Sequence, residues 1–181
     1  MDDILKDFNV LLLDADGVWF TGTETRSVLP TGEIVVSKTR HVHDGQGLSF
    51  LRALGIQIVF VGGAGEPLHS IVEKLNSLPS AKSGAWMPVA VTESKAPETI
   101  ETWLMERGRR WEECVYFGDD RDDLESMKKA AHIVVPANAR RVAKSVAHIA
   151  LTSPGGSGAV REFAEMVLDA RGIDEATLPA A

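Results

Sequence analysis

One cysteine, Cys114, stands in a chain of 181 residues, so no intramolecular disulfide can form. It lies inside the apolar stretch "CVYF", where a thiol is expected to be buried and inert. No apolar run approaches the ~20 residues a membrane-spanning helix requires. The opening "MDDILKDF" is acidic where a secretory signal starts with positive charge. Basic residues are outnumbered, with 19 Lys and Arg against 26 Asp and Glu and a net charge of -7. That balance excludes a broad electrostatic footprint for nucleic acid or anionic lipid. Internal repeats and low-complexity tracts are absent. These absences predict a soluble, cytoplasmic protein with no nucleic-acid partner and no membrane association, in which any phosphate is bound locally.

What is present suits one globular domain over residues 1–181, with 44% hydrophobic positions to fill its core. Short apolar runs bounded by turn residues predict buried parallel strands at Val10 to Leu13, Ile56 to Val61, Cys114 to Phe117 and Ile133 to Val135. Helical stripes fall between them. Leu48, Leu51 and Leu54 precede Gly55 as a C-terminal cap, and Leu68, Ile71, Val72 and Leu75 form a second stripe. Ile100, Trp103 and Leu104 mark a third helix, Leu124 to Ala131 a fourth and Val160 to Ala170 the last. The alternation argues for an α/β fold with a parallel sheet. It is interrupted over residues 18–41, where "VWFTG" and "SVLPTGEIVVSKT" read as strands of a projecting β-hairpin flap that turns at Pro30-Thr31-Gly32-Glu33. Residues 172–181 read as a loose tail.

Two acidic clusters carry chemistry. "DADG" places Asp14 and Asp16 directly after the first strand, and "GDDRDD" places Asp119, Asp120 and Asp123 after a later one. Ligands of open parallel sheets bind outside the carboxyl ends of the strands, so neighbouring strands would bring these carboxyl groups into one small volume. Crowded carboxylates repel one another and call for protonation or a cation, and a hard divalent ion such as Mg2+ suits an all-oxygen ligand set. A carboxylate that attacks phosphorus, and a second that protonates the leaving alcohol and later deprotonates water, constitute a phosphoryl-transfer pair. This assigns Asp14 as nucleophile and Asp16 as acid and base. Lys95, in "VTESKAPET", is the candidate cation for the transferred group.

The order of "DADG", the glycine-rich turn "VGGAG", Lys95 and "GDDRDD" resembles the haloacid dehalogenase superfamily of phosphohydrolases. The resemblance implies a Rossmann-like parallel sheet flanked by helices, with metal held by Asp14, the backbone carbonyl of Asp16 and Asp119, and with Asp120 and Asp123 supporting. No large cap domain is inserted. The flap, "HVHDGQGLSFLRALGI" and "GGSGAVREFAEMVL" resemble the 3-deoxy-D-manno-octulosonate 8-phosphate phosphatase branch from about Phe8 to about Ala170. That branch implies a small phosphorylated sugar-acid substrate, a role in lipopolysaccharide biosynthesis, and a homotetramer in which a neighbouring subunit closes each site.

The chain departs from that pattern at several positions. Gly62 stands where the superfamily has a threonine and Ala64 where it has an arginine, leaving Gly62 and Gly63 to offer backbone amides to a phosphate as a small nest. His43 and Ser157 also replace arginines. These losses motivate a second reading, a degenerate module used for oligomerisation or binding, like the domain attached to some animal sialic-acid cytidylyltransferases. His41 and His43 are expected on one face of a strand, with substrate contact as the other reading, and Asp44 is expected to cap the helix that follows the flap. For Trp19 and Phe20, a pocket wall, core packing and a subunit interface are all open. Arg161 reads as a salt-bridge partner.

Overall fold

The computed structural model describes residues 5–62, 65 and 67–179. Its main sheet has the strand order β5-β4-β1-β6-β7-β8, all parallel. The strands are β1 (Val10–Asp14), β4 (Gln57–Val61), β5 (Ala90–Val91), β6 (Cys114–Phe117), β7 (His132–Val135) and β8 (Ile149–Ala150). All five residues of β1 are buried, which is why this strand reads as an unbroken apolar run rather than an alternating one. The chain first builds β4 and β5 on one side of β1, then crosses to lay β6, β7 and β8 on the other. The order therefore reverses between β1 and β6, paired with Leu13 opposite Phe117. Both acidic clusters leave the sheet at this switch point.

Alternate residues of the strands feed two separate cores. Leu11, Leu13, Phe60 and Phe117 face α1 (Val42–Ala53) and α7 (Ala159–Arg171), where Phe163 meets Phe117 edge to face with ring centroids 5.7 Å apart. Val10, Leu12, Val59 and Tyr116 face Ile100, Trp103 and Leu104 of α4 (Pro97–Met105). Cys114 is buried in this second core, and burial pushes its thiol pKa up to about 12, so the thiol stays protonated. The remaining helices are α2 (Leu68–Ser77), α3 (Pro79–Lys82), α5 (Leu124–Met127) and α6 (Arg141–Lys144). No helix among the described residues is long and apolar enough to cross a membrane.

Several sequence expectations are corrected. "VWFTG" is not a strand: the hairpin strands are β2 (Glu24–Val28) and β3 (Ile34–Lys38), and Val18, Trp19 and Phe20 form a turn buried under the first core. An apolar triplet in a buried loop carries the same signal as a short strand. The predicted helix over Leu124 to Ala131 ends at Met127. Neither histidine lies on a strand. His41 caps α1, its Nδ1 accepting from the His43 amide at 3.3 Å, and the two rings meet edge to face at 4.8 Å. Asp44 does not cap its own helix. Fully buried in the first turn of α1, it accepts from the backbone N–H groups of Gly158 at 3.2 Å and Arg161 at 3.0 Å, and so caps α7.

Candidate active site

Where β1 ends, Asp14 is 2% exposed and its Oδ1 accepts the Ala15 amide at 2.7 Å. The chain then turns tightly, with Phe20 N–H donating to Ala15 O at 2.8 Å and Gly17 N–H to Phe20 O at 3.0 Å. Gly17 has a φ of 91°, and a Cβ at this position would lie 2.2 Å from Asp119 Oδ2. Glycine here lets the second acidic loop press against the first. Asn138 fastens the same turn from behind: its Nδ2 donates to Gly17 O at 3.0 Å while its Oδ1 accepts the Gly155 amide at 2.6 Å. The "GGSG" segment is thus packed directly against "DADG".

After β6 the chain forms a short 3-10 turn, Arg121–Asp123, that folds Asp123 back beneath the loop. Asp123 is fully buried. Its Oδ1 accepts Tyr116 Oη at 3.0 Å and meets Lys95 Nζ at 3.1 Å, while its Oδ2 accepts the amides of Asp119 at 3.0 Å and Asp120 at 3.1 Å. Four donors match what a carboxylate can accept. Asp123 is therefore committed to holding the loop, and burial together with its charge raises the Tyr116 pKa, keeping that hydroxyl a donor.

Lys95 precedes α4, and Ser126 Oγ donates to its carbonyl at 2.5 Å. Its Nζ stands 2.8 Å from Asp14 Oδ2. Burial works against the ammonium, but the charges of Asp14 and Asp123 outweigh it and raise the Lys95 pKa. Burial and the neighbouring Asp123 charge raise the Asp14 pKa well above the carboxylate range, with Lys95 opposing them. The same two causes lift Asp119 to about 6. Carboxylates pushed upward in this way gain from a nearby cation.

One oxygen each of Asp14, Asp119 and Asp123 lies within 4.8 Å of the others, a set able to hold a metal ion. Since Asp123 already accepts four donors, Asp14 and Asp119 are the pair left to ligate. An all-oxygen set of this kind fits a hard divalent cation. Asp16 is elsewhere engaged, both its oxygens taking Lys38 Nζ of β3 at 2.8 and 2.7 Å. Asp120 caps the 3-10 turn, accepting the Arg121 amide at 2.6 Å.

Asp14, Asp16, Lys95 and Asp119 border one cleft of about 510 Å³, joined there by Asn138 and Arg140. A second recess of about 90 Å³ holds Asp14, Asp16, Lys38, Lys95 and Gly62. At Gly62, with a φ of 90°, a Cβ would lie 2.5 Å from Lys95 Cγ. The lysine stem occupies the space a threonine side chain would need. The expectations for Gly63 and Ala64 lie outside the described residues. Trp19 belongs to the core, 5.5 Å from Phe60, and Phe20, 1% exposed, borders the small recess. Arg161 pairs with Glu165 and Glu175. A larger cavity of about 630 Å³, between α1 and residues 175–179, shares no residue with the acidic cleft.

Sequence reasoning missed Lys38, Asn138 and Arg140. Each reaches the site from a distant segment, and only the proline and small residues of "VPANAR" hint at a loop there.

No protein-family model matches the chain. It is 27% identical over 173 residues to 3-deoxy-D-manno-octulosonate 8-phosphate phosphatase KdsC of Haemophilus influenzae, covering 95% of this chain and 89% of that protein. It is 28% identical over 139 residues to N-acylneuraminate cytidylyltransferase B of Danio rerio, covering 76% of this chain but spanning only 31% of that protein. Among solved structures, the cobalt-bound phosphatase of Haemophilus influenzae superposes with a TM-score of 0.75 at 27% identity, over 93% of this chain and 91% of that one. A Legionella pneumophila protein described as a HAD superfamily (subfamily III A) hydrolase superposes with a TM-score of 0.77 at 25% identity, over 94% of this chain and 87% of that one. In sequence and fold the chain is similar to haloacid dehalogenase superfamily hydrolases. Its HAD-like fold carries a hairpin and no large cap, and its acidic cleft lies where its own strand order reverses, between β1 and β6.

Proposed function

We propose that the protein is a magnesium-dependent phosphomonoesterase acting on a small phosphorylated sugar or sugar acid, of which 3-deoxy-D-manno-octulosonate 8-phosphate is the leading candidate. The observation that carries this reading is Asp14, buried at the end of β1, beside a lysine at 2.8 Å and within metal-sharing reach of Asp119.

In this mechanism a carboxylate oxygen of Asp14 attacks phosphorus, the bond from phosphorus to the ester oxygen breaks, and the leaving oxygen takes a proton from Asp16. Asp16 then removes a proton from water, which attacks the aspartyl phosphate, releases phosphate and restores Asp14. To serve, Asp16 exchanges Lys38 for the leaving oxygen; catalytic contacts often form only with substrate bound. Lys95 neutralises Asp14 and offers charge to the phosphoryl oxygens, and the backbone at Gly62, which lines the recess beside both residues, borders them. Asp14, Asp119 and the carbonyl of Asp16 would hold the magnesium, with Asp120 and Asp123 fixing their loop. The ion, when bound, supplies positive charge to the phosphoryl oxygens.

The flap suits the expected homotetramer. Val28 is 71% exposed and Ile34 opposite it 59% exposed, on a two-stranded hairpin too small to be stable unsupported. A neighbouring subunit covering these side chains would also close the cleft.

Phosphate release from 3-deoxy-D-manno-octulosonate 8-phosphate, nine-carbon sugar-acid phosphates and an aryl phosphate, with magnesium or chelator, tests the reading. Magnesium-dependent release is expected, and magnesium binding without release from any compound favours the second reading, a superfamily module retained for binding or assembly. Gly62 under the Lys95 stem motivates that alternative, because it removes the hydroxyl donor usual at this position.

A further inference from the structure

The cleft is charged almost entirely with one sign. Asp14, Asp16, Asp119, Asp120 and Asp122 line it, and of its two cations Lys95 is committed to Asp14 and Asp123. The other is Arg140. Its backbone N–H donates to Asp119 O at 2.8 Å, which fixes it beside the acidic loop, and two residues earlier Asn138 is tied to both the Gly17 turn and Gly155. The Arg140 side chain is exposed and makes no hydrogen bond or ion pair among the described residues. An anchored backbone thus carries a guanidinium, unpartnered among the described residues, into a cleft whose other free charges are acidic.

An ester carrying a second anionic group would be repelled by those aspartates unless a cation receives it. Positions 43 and 157, where the resembling branch has arginines, hold His43 and Ser157 here. We propose that Arg140 is the specificity-determining residue of this cleft, taking the carboxylate of a phosphorylated sugar acid in a bidentate pair while the phosphoryl group lies at Asp14. Guanidinium and carboxylate match in planar, two-point geometry, and the hydroxyls of Thr21 and Thr23, 2.8 Å apart on the same cleft, suit the sugar hydroxyls. This rests on the phosphatase reading, and it assigns substrate choice to a residue of the loop after β7.

The test is calorimetric titration, with magnesium, of the full-length Asp14→Asn protein, which leaves the ligand unconsumed. 3-deoxy-D-manno-octulosonate 8-phosphate and ribose 5-phosphate, which has no carboxylate, are compared with and without Arg140→Gln. A lost charged hydrogen-bond pair is expected to weaken the sugar acid roughly tenfold to a hundredfold. Ribose 5-phosphate should change less than about twofold, and Arg140→Lys should recover part of the loss. Equal weakening of both ligands, or of neither, would overturn the subsite while leaving the phosphatase reading intact. Failure of both phosphates to bind, together with no phosphate release from either by the wild-type protein, would overturn the subsite and the phosphatase reading together.

Discussion

Lys95 Nζ lies 2.8 Å from Asp14 Oδ2, and the same ammonium reaches Asp123 at 3.1 Å, so one cation holds the first acidic loop against the second. Removing it leaves two buried carboxylates facing each other. Lys95→Met is expected to lower phosphate release by about two to three orders of magnitude, the scale of losing a committed transition-state donor. It should also lower the melting temperature. Steady-state kinetics and a thermal melt check both, and an unchanged kcat would remove Lys95 from the mechanism.

Gly17 is needed by backbone and neighbour alike. Gly17→Ala forces a Cβ to 2.2 Å from Asp119 Oδ2 at a φ of 91°. The expected result is a folded protein with weaker magnesium binding, because the Asp119 carboxylate must move away from Asp14. Calorimetric titration with magnesium reads this directly, and wild-type affinity would contradict it.

Asp44 stabilises a helix other than its own. Asp44→Ala removes the cap of α7 and is expected to cost about 1–2 kcal/mol, near the upper end for such caps because the site is buried. Burial raises the Asp44 pKa and the amides of Arg161 and Gly158 oppose that rise, so some of the loss is offset by no longer burying a charge. Urea unfolding measures the difference.

Asp119 gives the metal-free protein a pH signature. Its pKa, raised from 3.8 to about 6, means that the folded state binds more protons than the unfolded state between those values. The Asp119 contribution to stability in chelator should therefore fall as pH rises through that window and level off above it, with Asp14, raised by the same causes, adding a decline of its own, while magnesium affinity rises over the same range. Asp119→Asn should flatten this contribution. Denaturant titrations across the window provide the check.

On the flap, Ile34→Asp places a charge on the exposed apolar ridge formed with Val28. Light scattering should show the proposed tetramer dissociating to smaller species, with phosphate release reduced. An unchanged mass would refute assembly through the hairpin.

Parts of this account were legible in the sequence because the signals are local. β1 and β6 are buried on both faces, so their apolar runs stop where the acidic residues begin, and Asp14 and Asp119 are placed by that edge alone. "VWFTG" misled because a turn buried beneath a core is as apolar as a strand. β5 and β8, two residues each, are too short for any periodicity to register. The cap that Asp44 provides, the Lys38 pair with Asp16 and the place of Arg140 in the cleft depend on segments far apart in the chain, which spacing cannot relate. Gly62 reads as a lost donor in the sequence, and only the packing explains it: the Lys95 stem lies where a side chain would go.

The central claim is that Asp14 becomes phosphorylated. Rapid acid quenching of the protein during turnover with magnesium and 3-deoxy-D-manno-octulosonate 8-phosphate, followed by peptide mass spectrometry, tests it most directly. The account predicts a phosphoryl adduct on the peptide containing Asp14, absent in Asp14→Asn together with phosphate release. Turnover that persists in Asp14→Asn, or an adduct on another residue, would contradict it.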